Sequence, residues 1–226
     1  MKRKRDLTQL ESALDYRFND HALLELALTH KSYRKGHNKK DNERLEFLGD
    51  AVLQIAVSEH LYKKYPDLAE GQLAKIRALC VSQPTLAKNA RKLGLHQYLK
   101  VGKGEERTRA QERDSLLCDT YEAVLGAIYL DSDLETVKPI IIANLPQWSH
   151  EKLNNIDAKS TLQEHLQQTN QITPTYYLAE EHGPDHNKEF VVEVYLDNEV
   201  LGRGVGKSKK EAAQNAAREA LKKLDV

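Results

Sequence analysis

Residues 42–53 read Asn-Glu-Arg-Leu-Glu-Phe-Leu-Gly-Asp-Ala-Val-Leu and carry three acids, Glu43, Glu46 and Asp50. Successive residues of an α-helix are about 100° apart, so these carboxylates fall within roughly 60° of one another. Apolar residues lie between and after them, which places the acidic row at the edge of a buried face. Unpaired carboxylates this close repel one another, and the cation nearest in sequence is Arg44. The pattern is typical of a site for a hard divalent cation, although a solvated charged face would also carry it.

A second pair of acids lies in residues 114–130, which are otherwise mostly apolar. Asp119 and Glu122 are three residues apart, so one helix face carries both of them. Acids are rarely buried without a partner, and their place on an apolar helix therefore requires one. Two such helices packed side by side would direct up to five carboxylates at one centre. The two stretches together favour the metal site.

Both stretches resemble motifs of one family. The first resembles the signature of bacterial ribonuclease III, which ends in Asn-Glu-Arg-Leu-Glu-Phe-Leu-Gly-Asp and a small residue. Ala51 stands at that last position, where the family often has Ser, and this change affects no catalytic residue. The second stretch resembles the other acidic helix of the family, and the C-terminal third resembles its double-stranded-RNA-binding domain. The resemblance implies an all-α endonuclease domain joined to an α+β domain of order α-β-β-β-α.

The resemblance also implies an activity, a cofactor and a set of functional residues. The activity is Mg²⁺-dependent hydrolysis of double-stranded RNA by a homodimer, with Mn²⁺ as a substitute and with precursors of ribosomal RNA and structured messages as substrates. Asp50 and Glu122 are expected to be indispensable for catalysis, and Glu43 is expected to support them. Glu70 either faces the same site in a supporting role or acts only as an acid at a helix start. The expected metal ligands are Glu46, Asp50, Asp119 and Glu122.

The order of periodic segments predicts two domains and a linker. Residues 1–150 contain helical patterns only, residues 151–158 are polar and without periodicity, and residues 159–226 change to helix, three strands and helix. Within the first domain, the Gly-rich and charged residues 101–113 are predicted to form a mobile loop. No apolar run is long enough to span a membrane, and the basic first five residues precede an acid rather than an apolar signal segment.

The charge balance restricts where RNA can bind. The chain has 34 basic and 34 acidic residues, and residues 156–226 contain 9 Lys or Arg against 12 Asp or Glu. A nucleic-acid footprint is usually basic, so binding in this domain must depend on a local patch. Lys207, Lys209 and Lys210 form such a patch at a predicted helix N-terminus, where the helix dipole also favours phosphate, unless they are only a solvated basic loop. By resemblance, the further RNA-binding residues are Gln163, Glu164, Gln167 and His186.

Three further expectations can be checked against the fold. Cys80 and Cys118 are far apart and belong to no Cys-x-x-Cys pair, which predicts free thiols in a reducing, cytoplasmic setting. Phe47 in the acidic stretch belongs either to the interface between two copies of the chain or to the core. The alternative functions are a double-stranded-RNA-binding protein without catalysis and a helical di-iron oxidase. No Glu in the sequence has a His three residues later, which argues against the oxidase.

Overall fold

The computed structural model divides into two compact units, Met1–Pro146 and Gln147–Val226. Each unit is described here by itself. The structure describes residues 6–33, 40–147, 158–170, 173–184 and 187–224. Most of the predicted linker, residues 151–158, lies outside these ranges. Within them, no helix is both long enough and apolar enough to cross a membrane.

Unit 1 is helical, as the sequence pattern predicts. Short 3₁₀ turns at Lys31–Tyr33, Leu95–Gln97 and Ala110–Glu112 supplement the α-helices. The α-helices are α1 (Thr8–Leu14), α2 (His21–Ala27), α3 (Glu43–Lys64), α4 (Glu70–Cys80), α5 (Gln83–Lys92), α6 (Lys103–Arg107), α7 (Asp114–Asp131) and α8 (Leu134–Ala143).

The contact between α3 and α7 organises unit 1. Helix α7 is buried along most of its length, and α3 packs its apolar side against it. The two backbones touch where both helices carry glycine. A Cβ at Gly49 would lie 1.8 Å from the carbonyl oxygen of Glu122, and one at Gly126 would lie 2.3 Å from that of Leu45. Any side chain at these positions would push the helices apart, so the two glycines set their separation.

The prediction of a mobile loop at residues 101–113 is wrong. This segment contains α6 and the 3₁₀ turn at Ala110–Glu112, and Ala110 is fully buried. The glycine that suggested flexibility is needed for a close contact, because a Cβ at Gly102 would lie 2.4 Å from the carbonyl oxygen of Ser32. The Ser32 hydroxyl also accepts a hydrogen bond from the Gly102 amide at 2.9 Å. Glycine therefore marks a tertiary contact here.

Unit 2 has the predicted order of helix, three strands and helix. The strands form one antiparallel sheet in the order β1-β2-β3, with irregular register between Leu178 and Glu180 and between Val194 and Tyr195. The elements are α9 (Ala158–Asn170), β1 (Thr175–His182), β2 (Glu189–Leu196), β3 (Glu199–Gly206) and α10 (Lys209–Lys223).

Small residues bring α10 against the sheet. Ala216 and Ala220 are fully buried on α10, beside leucines of α9 and valines of β2 that complete the core. A Cβ at Gly202 would lie 2.3 Å from the carbonyl oxygen of Ala216, and one at Gly204 would lie 2.1 Å from the amide nitrogen of Ala216. This core fixes α10, so the start of that helix is held at the end of β3.

Candidate metal centre and nucleic-acid interface

The α3–α7 contact brings the predicted acids of the two helices together. Gly49 lies between Glu46 and Asp50 on α3, and it packs on the backbone of Glu122. Glu46 and Glu122 are half-buried, whereas Asp50 is exposed. Asp119 is also half-buried and lies one turn before Glu122 on α7. Glu46, Asp50, Asp119 and Glu122 are called the acid cluster below.

Burial raises the pKa of three acids of the cluster, and neighbouring carboxylates add to the rise in two of them. The pKa of Glu122 is raised to about 7, first by burial and then by the charges of Asp50, Glu46 and Asp119. Burial also raises the pKa of Glu46, and the charge of Asp119 adds to the increase. The pKa of Asp119 is raised by burial. Charged side chains of α3 and α7 therefore shift one another's pKa values across the helix contact. The two helices thus lie side by side with their acids near one another, as the sequence predicted.

Lys31 supplies positive charge to this region. Its Nζ donates a hydrogen bond to Oε1 of Glu43 at 2.9 Å, and its charge opposes the rise in pKa of both Glu46 and Asp119. The neighbouring His30 has the same effect on Asp119. Glu43 is thus exposed and paired with a cation at the border of the cluster. Lys31 precedes Glu43 by 12 residues, so no local sequence pattern connects the two side chains and only the fold brings them together.

Two further side chains reach the acid cluster from its own helices. Gln54 lies four residues after Asp50, and its Nε2 donates to Oδ1 of Asp50 at 3.4 Å. Cys118 lies four residues before Glu122, and its Sγ lies 3.8 Å from Oε1 of Glu122. Both contacts follow the helical spacing of four residues, so the sequence contained a signal for them. Neither Cys80 nor Cys118 forms a disulfide, as predicted, and both are buried.

Glu70 occupies a different environment. It is the first residue of α4 and is exposed, in keeping with an acid at a helix start. It lines a cavity of about 350 Å³ together with Tyr62 and Arg77. Among the described residues, the charges that most affect the pKa values of Glu46, Asp119 and Glu122 do not include that of Glu70. Its supporting role stays a prediction.

The donor atoms of the cluster suit a hard divalent cation. The charges of Asp50 and Glu46 on α3 raise the pKa of Glu122 on α7, so carboxylates of the two helices lie near one another. Oxygen-rich sites of this kind are those that Mg²⁺ and Mn²⁺ prefer. Within α7, the ligand atoms of Asp119 and Glu122 lie within 4.8 Å of each other and of the Cys118 sulfur. Asp119 and Glu122 are therefore candidate ligands on α7 for such a cation.

The predicted basic patch lies on the surface of unit 2. Lys207, Lys209 and Lys210 are all exposed at the start of α10. Ser208 is the N-cap, and its side chain accepts from the amide of Glu211 at 3.1 Å. In return, Glu211 accepts from the Lys207 amide at 2.8 Å. These two amides are occupied, and the exposed lysine ammonium groups can donate hydrogen bonds to a phosphate.

Lys207 and Lys209 each contact a residue of β2 or of the connection that precedes it. Lys207 Nζ donates to Oδ1 of Asn187 at 3.0 Å, and Lys209 Nζ lies 5.8 Å from the ring centroid of Phe190. On α9, Gln163, Glu164 and Gln167 are exposed while Leu162 and Leu166 are buried in the core. The three polar residues thus share the outward face of α9. His186, the remaining predicted RNA contact, lies outside the described residues.

An apolar surface of unit 1 is also exposed. Phe47 on α3 is 81% exposed, so the interpretation of Phe47 as a core residue is wrong. Tyr62, further along α3, is 73% exposed and lines the cavity that contains Glu70. Phe47 and Tyr62 are 15 residues apart on α3, about 22 Å along the helix axis, so they are two separate exposed side chains. The other large apolar side chains of unit 1 with high exposure are Ile55, Leu79 and Leu130.

Comparisons with known proteins agree with the division into a nuclease unit and an RNA-binding unit. The family described as Ribonuclease-III-like matches residues 20–147, and the Double-stranded RNA binding motif matches residues 158–224. Ribonuclease 3 of Caldanaerobacter subterraneus subsp. tengcongensis is 50% identical over 225 residues, covering 97% of this chain and 99% of its own. Ribonuclease 3 of Natranaerobius thermophilus is 49% identical over 226 residues, which is 97% of each chain.

A solved structure supports the fold of the first unit. The crystal structure of the nuclease domain of ribonuclease III from Campylobacter jejuni is 42% identical, with a TM-score of 0.59. The match covers 66% of this chain and 100% of that one. The protein is thus a nuclease-type helical unit followed by a double-stranded-RNA-binding motif. The chain belongs to the ribonuclease III family, which confirms the family and the fold class predicted from the two acidic stretches and the C-terminal third.

Proposed function

We propose that this chain is a Mg²⁺-dependent endoribonuclease that hydrolyses phosphodiester bonds in double-stranded RNA and leaves 5′-phosphate and 3′-hydroxyl ends. The acid cluster between α3 and α7 carries the proposal, because it occurs in a chain half identical to proteins named Ribonuclease 3. The RNA-binding motif of unit 2 supports a duplex substrate. Precursors of ribosomal RNA and structured messages are the proposed natural substrates.

The metal is assigned to Glu46, Asp50, Asp119 and Glu122, with Mn²⁺ as a substitute for Mg²⁺. When bound, the ion polarises the scissile phosphate and makes an attacking water more acidic. Asp50 and Glu122 are the two residues that we assign as indispensable, since they couple the two helices electrostatically. Glu43 supports them by holding the Lys31 ammonium at 2.9 Å, beside the cluster. Glu70 retains a proposed supporting role from its cavity.

Duplex binding is assigned to unit 2. Lys207, Lys209 and Lys210 are proposed to contact phosphates, because they are exposed at a helix N-terminus. The outward polar face of α9 is proposed to enter a minor groove, as expected for a domain that recognises A-form shape. The residues assigned there are Gln163, Glu164 and Gln167, and His186 is assigned to a second groove. We place catalysis in residues 1–150, duplex binding in residues 159–226 and a linker between them.

A homodimer is the proposed assembly. Phe47 and Tyr62 project apolar surface from α3, and a cavity of about 350 Å³ lies on the same helix next to Tyr62. A two-fold interface uses one surface patch twice, so a projecting ring and a cavity on one surface can complement each other. A further Campylobacter jejuni nuclease-domain structure, 42% identical, is described by its flexibility in a region involved in dimer formation. Two acid clusters would then cut the two strands of one duplex.

The cytoplasm is the proposed setting. Neither Cys80 nor Cys118 forms a disulfide, which is compatible with a reducing compartment.

Cleavage of a long RNA duplex by the pure protein tests the proposal. The duplex is incubated with and without Mg²⁺, and a single-stranded RNA of the same sequence serves as the control substrate. Fragmentation of the duplex that depends on Mg²⁺ is the expected result, with end-group analysis checking the 5′-phosphate and 3′-hydroxyl. Binding without cleavage under all divalent cations would instead identify a catalytically inactive RNA-binding protein.

A further inference from the structure

Lys31 lies on a short segment whose main chain is held on both sides. The amide of His30 donates to the carbonyl oxygen of Lys100 at 3.0 Å. On the other side, the Ser32 hydroxyl accepts from the amide of Gly102 at 2.9 Å. The backbone around Lys31 is therefore fixed to the chain segment that precedes α6, and the position of its Cα does not depend on the exposed loop that follows.

The side chain of Lys31, in contrast, extends into the solvent. It is 59% exposed, and its Nζ donates to Oε1 of Glu43 at 2.9 Å. An ammonium group carries three N–H donors. In the part of the chain that the structure describes, Glu43 is the one hydrogen-bond acceptor found for this group. Lys31 can therefore bind a further acceptor without giving up Glu43.

The Lys31 ammonium lies at the border of the acid cluster but belongs to neither of its helices. Its charge acts on Glu46 of α3 and on Asp119 of α7, and it opposes the rise in pKa of both carboxyl groups. A phosphate that approaches the cluster is repelled by these carboxylates, and a fixed cation beside them lowers that repulsion. Any RNA strand that reaches the cluster therefore comes close to Lys31.

We propose that Lys31 contacts a phosphate of the bound duplex and is a substrate-binding residue of unit 1. The inference rests on the proposed function, because it takes duplex RNA as the substrate that approaches the acid cluster. It gives unit 1 an RNA contact of its own, distinct from the carboxylates and from the lysines of unit 2. The competing role is an exposed ion pair that only neutralises Glu43, and exposed ion pairs contribute little to stability.

Duplex binding by the full-length protein without divalent cations tests the contact apart from cleavage. Fluorescence anisotropy of a labelled duplex over a salt series gives the slope of log affinity against log salt. Lys31→Ala should reduce this slope by about 0.9, the value for one lost phosphate contact. Lys63→Ala, which should leave the slope unchanged, is the matched control: Lys63 is 70% exposed and also pairs with a glutamate, Glu59, but lies far along α3 from the cluster.

The variant Glu43→Gln separates a phosphate contact from neutralisation of Glu43. If Lys31 only balances that carboxylate, Lys31→Ala should have no effect on duplex affinity once the carboxylate is gone. A phosphate contact predicts instead that Lys31→Ala weakens binding by about threefold to tenfold in the Glu43→Gln protein as well. Lys31→Arg keeps the charge and should retain most of the affinity. Circular dichroism melting confirms that each variant is folded, and Lys31→Gln replaces Lys31→Ala if the latter unfolds.

The outcomes separate this inference from the proposed function. Equal salt slopes for Lys31→Ala and Lys63→Ala overturn the phosphate contact, even where the wild type cleaves duplex RNA in Mg²⁺. A loss of affinity that disappears in the Glu43→Gln protein also overturns it, because Lys31 would then act only on Glu43. A wild-type protein that cleaves no duplex in Mg²⁺ refutes the proposed function instead, and the salt slopes still decide whether Lys31 contacts RNA.

Discussion

The two units use the same packing device and place their charges in opposite ways. In unit 1, glycines let α3 touch the backbone of α7, and in unit 2 glycines of β3 let α10 touch the sheet. The contact in unit 1 concentrates like charges in partly buried positions, where the pKa of Glu122 is raised to about 7. The contact in unit 2 leaves Lys207, Lys209 and Lys210 exposed to solvent. In unit 1, close packing therefore brings like charges near one another. In unit 2, close packing holds a helix whose first residues are exposed lysines.

This difference indicates how each unit can bind a charged partner. Repelling, half-buried carboxylates gain most from one cation at one place, so the loss of any one of them should affect the chemistry severely. Exposed ammonium groups are hydrated and screened by salt, so each contributes a graded and partly replaceable share of affinity. The comparison therefore predicts large effects on cleavage from unit 1 and moderate effects on binding from unit 2.

The largest effect is expected from Glu122→Gln. Removing this charge should lower the cleavage rate by about 10³-fold, because the stabilisation lost is several kcal/mol and each 1.36 kcal/mol is about tenfold. Duplex binding should be nearly unchanged, since it is assigned to unit 2. Rates come from single-turnover cleavage of a labelled duplex, with exposed Glu135→Gln on α8 as the control. Cleavage within tenfold of wild type would remove Glu122 from the chemistry.

Gly49→Ala should have the next largest effect, on stability. The new methyl group would meet the Glu122 carbonyl oxygen, whose distance to an ideal Cβ is 1.8 Å. Overpacking of this kind should destabilise unit 1 by at least about 2 kcal/mol, measured by urea unfolding. Gly71→Ala in α4 is the control: its Cβ meets nothing within 4 Å, so the change should stabilise by up to about 1 kcal/mol. Equal effects of the two variants would contradict the backbone contact.

A moderate effect is expected from Lys209→Ala combined with Lys210→Ala. Each lost phosphate contact should reduce the slope of log affinity against log salt by about 0.9, so the pair should flatten it by about one to two units. The loss should be similar for unrelated duplexes, because shape is recognised rather than sequence. Fluorescence anisotropy over a salt series measures the slope. Lys222→Ala with Lys223→Ala, at the other end of α10, is the matched control, and an equal slope in both pairs would place the RNA elsewhere.

The smallest effect concerns Glu59 of unit 1, whose side chain is 32% exposed. Hydrogen bonds from Lys138 and Lys63 lower the pKa of Glu59 from 4.5 to about 2, and Lys138 lies on α8, so the pair joins two helices. A depressed folded pKa means that the stabilisation is present above pH 4.5 and is lost as the pH falls towards 2. Glu59→Gln should lower the Tm by about a few degrees at neutral pH.

Below pH 4.5, the difference in Tm between wild type and Glu59→Gln should shrink, and melting curves at several pH values measure it. Glu135→Gln is again the control, because Glu135 pairs with Lys138 inside α8 and joins no second helix. A difference that stays constant with pH would show that Glu59 stabilises by packing and not by charge.

Local patterns predicted much of this architecture. The spacing of Glu43, Glu46 and Asp50 predicted α3 and its acidic face, and the apolar run around Glu122 predicted α7. These signals succeed because helical periodicity depends only on neighbours along the chain. The three strands of unit 2 follow in the same way from alternation and turn residues.

Features that depend on the fold were missed or misinterpreted. Gly102 suggested a mobile loop, but it is required by the contact with Ser32 from a distant part of the sequence. Lys31 was not connected with the acids, because nothing in a linear pattern shows which loop a folded chain brings to them. Cys118 was interpreted only as a free thiol, although its spacing of four from Glu122 was visible. Sequence patterns identify a helix face, but tertiary packing decides what lies opposite it.

The glycine contact between α3 and α7 also has a consequence for the ionic radius that the proposed metal site would accept. Because Gly49 meets the Glu122 backbone directly, main-chain atoms and not adjustable rotamers set the distance between the two rows of acids. The helices would therefore move little on binding of a larger ion, and only the conformations of the acidic side chains could adjust. Replacing Asp50 or Asp119 by glutamate would lengthen one arm by a methylene while the helix separation stays the same, which would shift the preference among divalent ions by size alone.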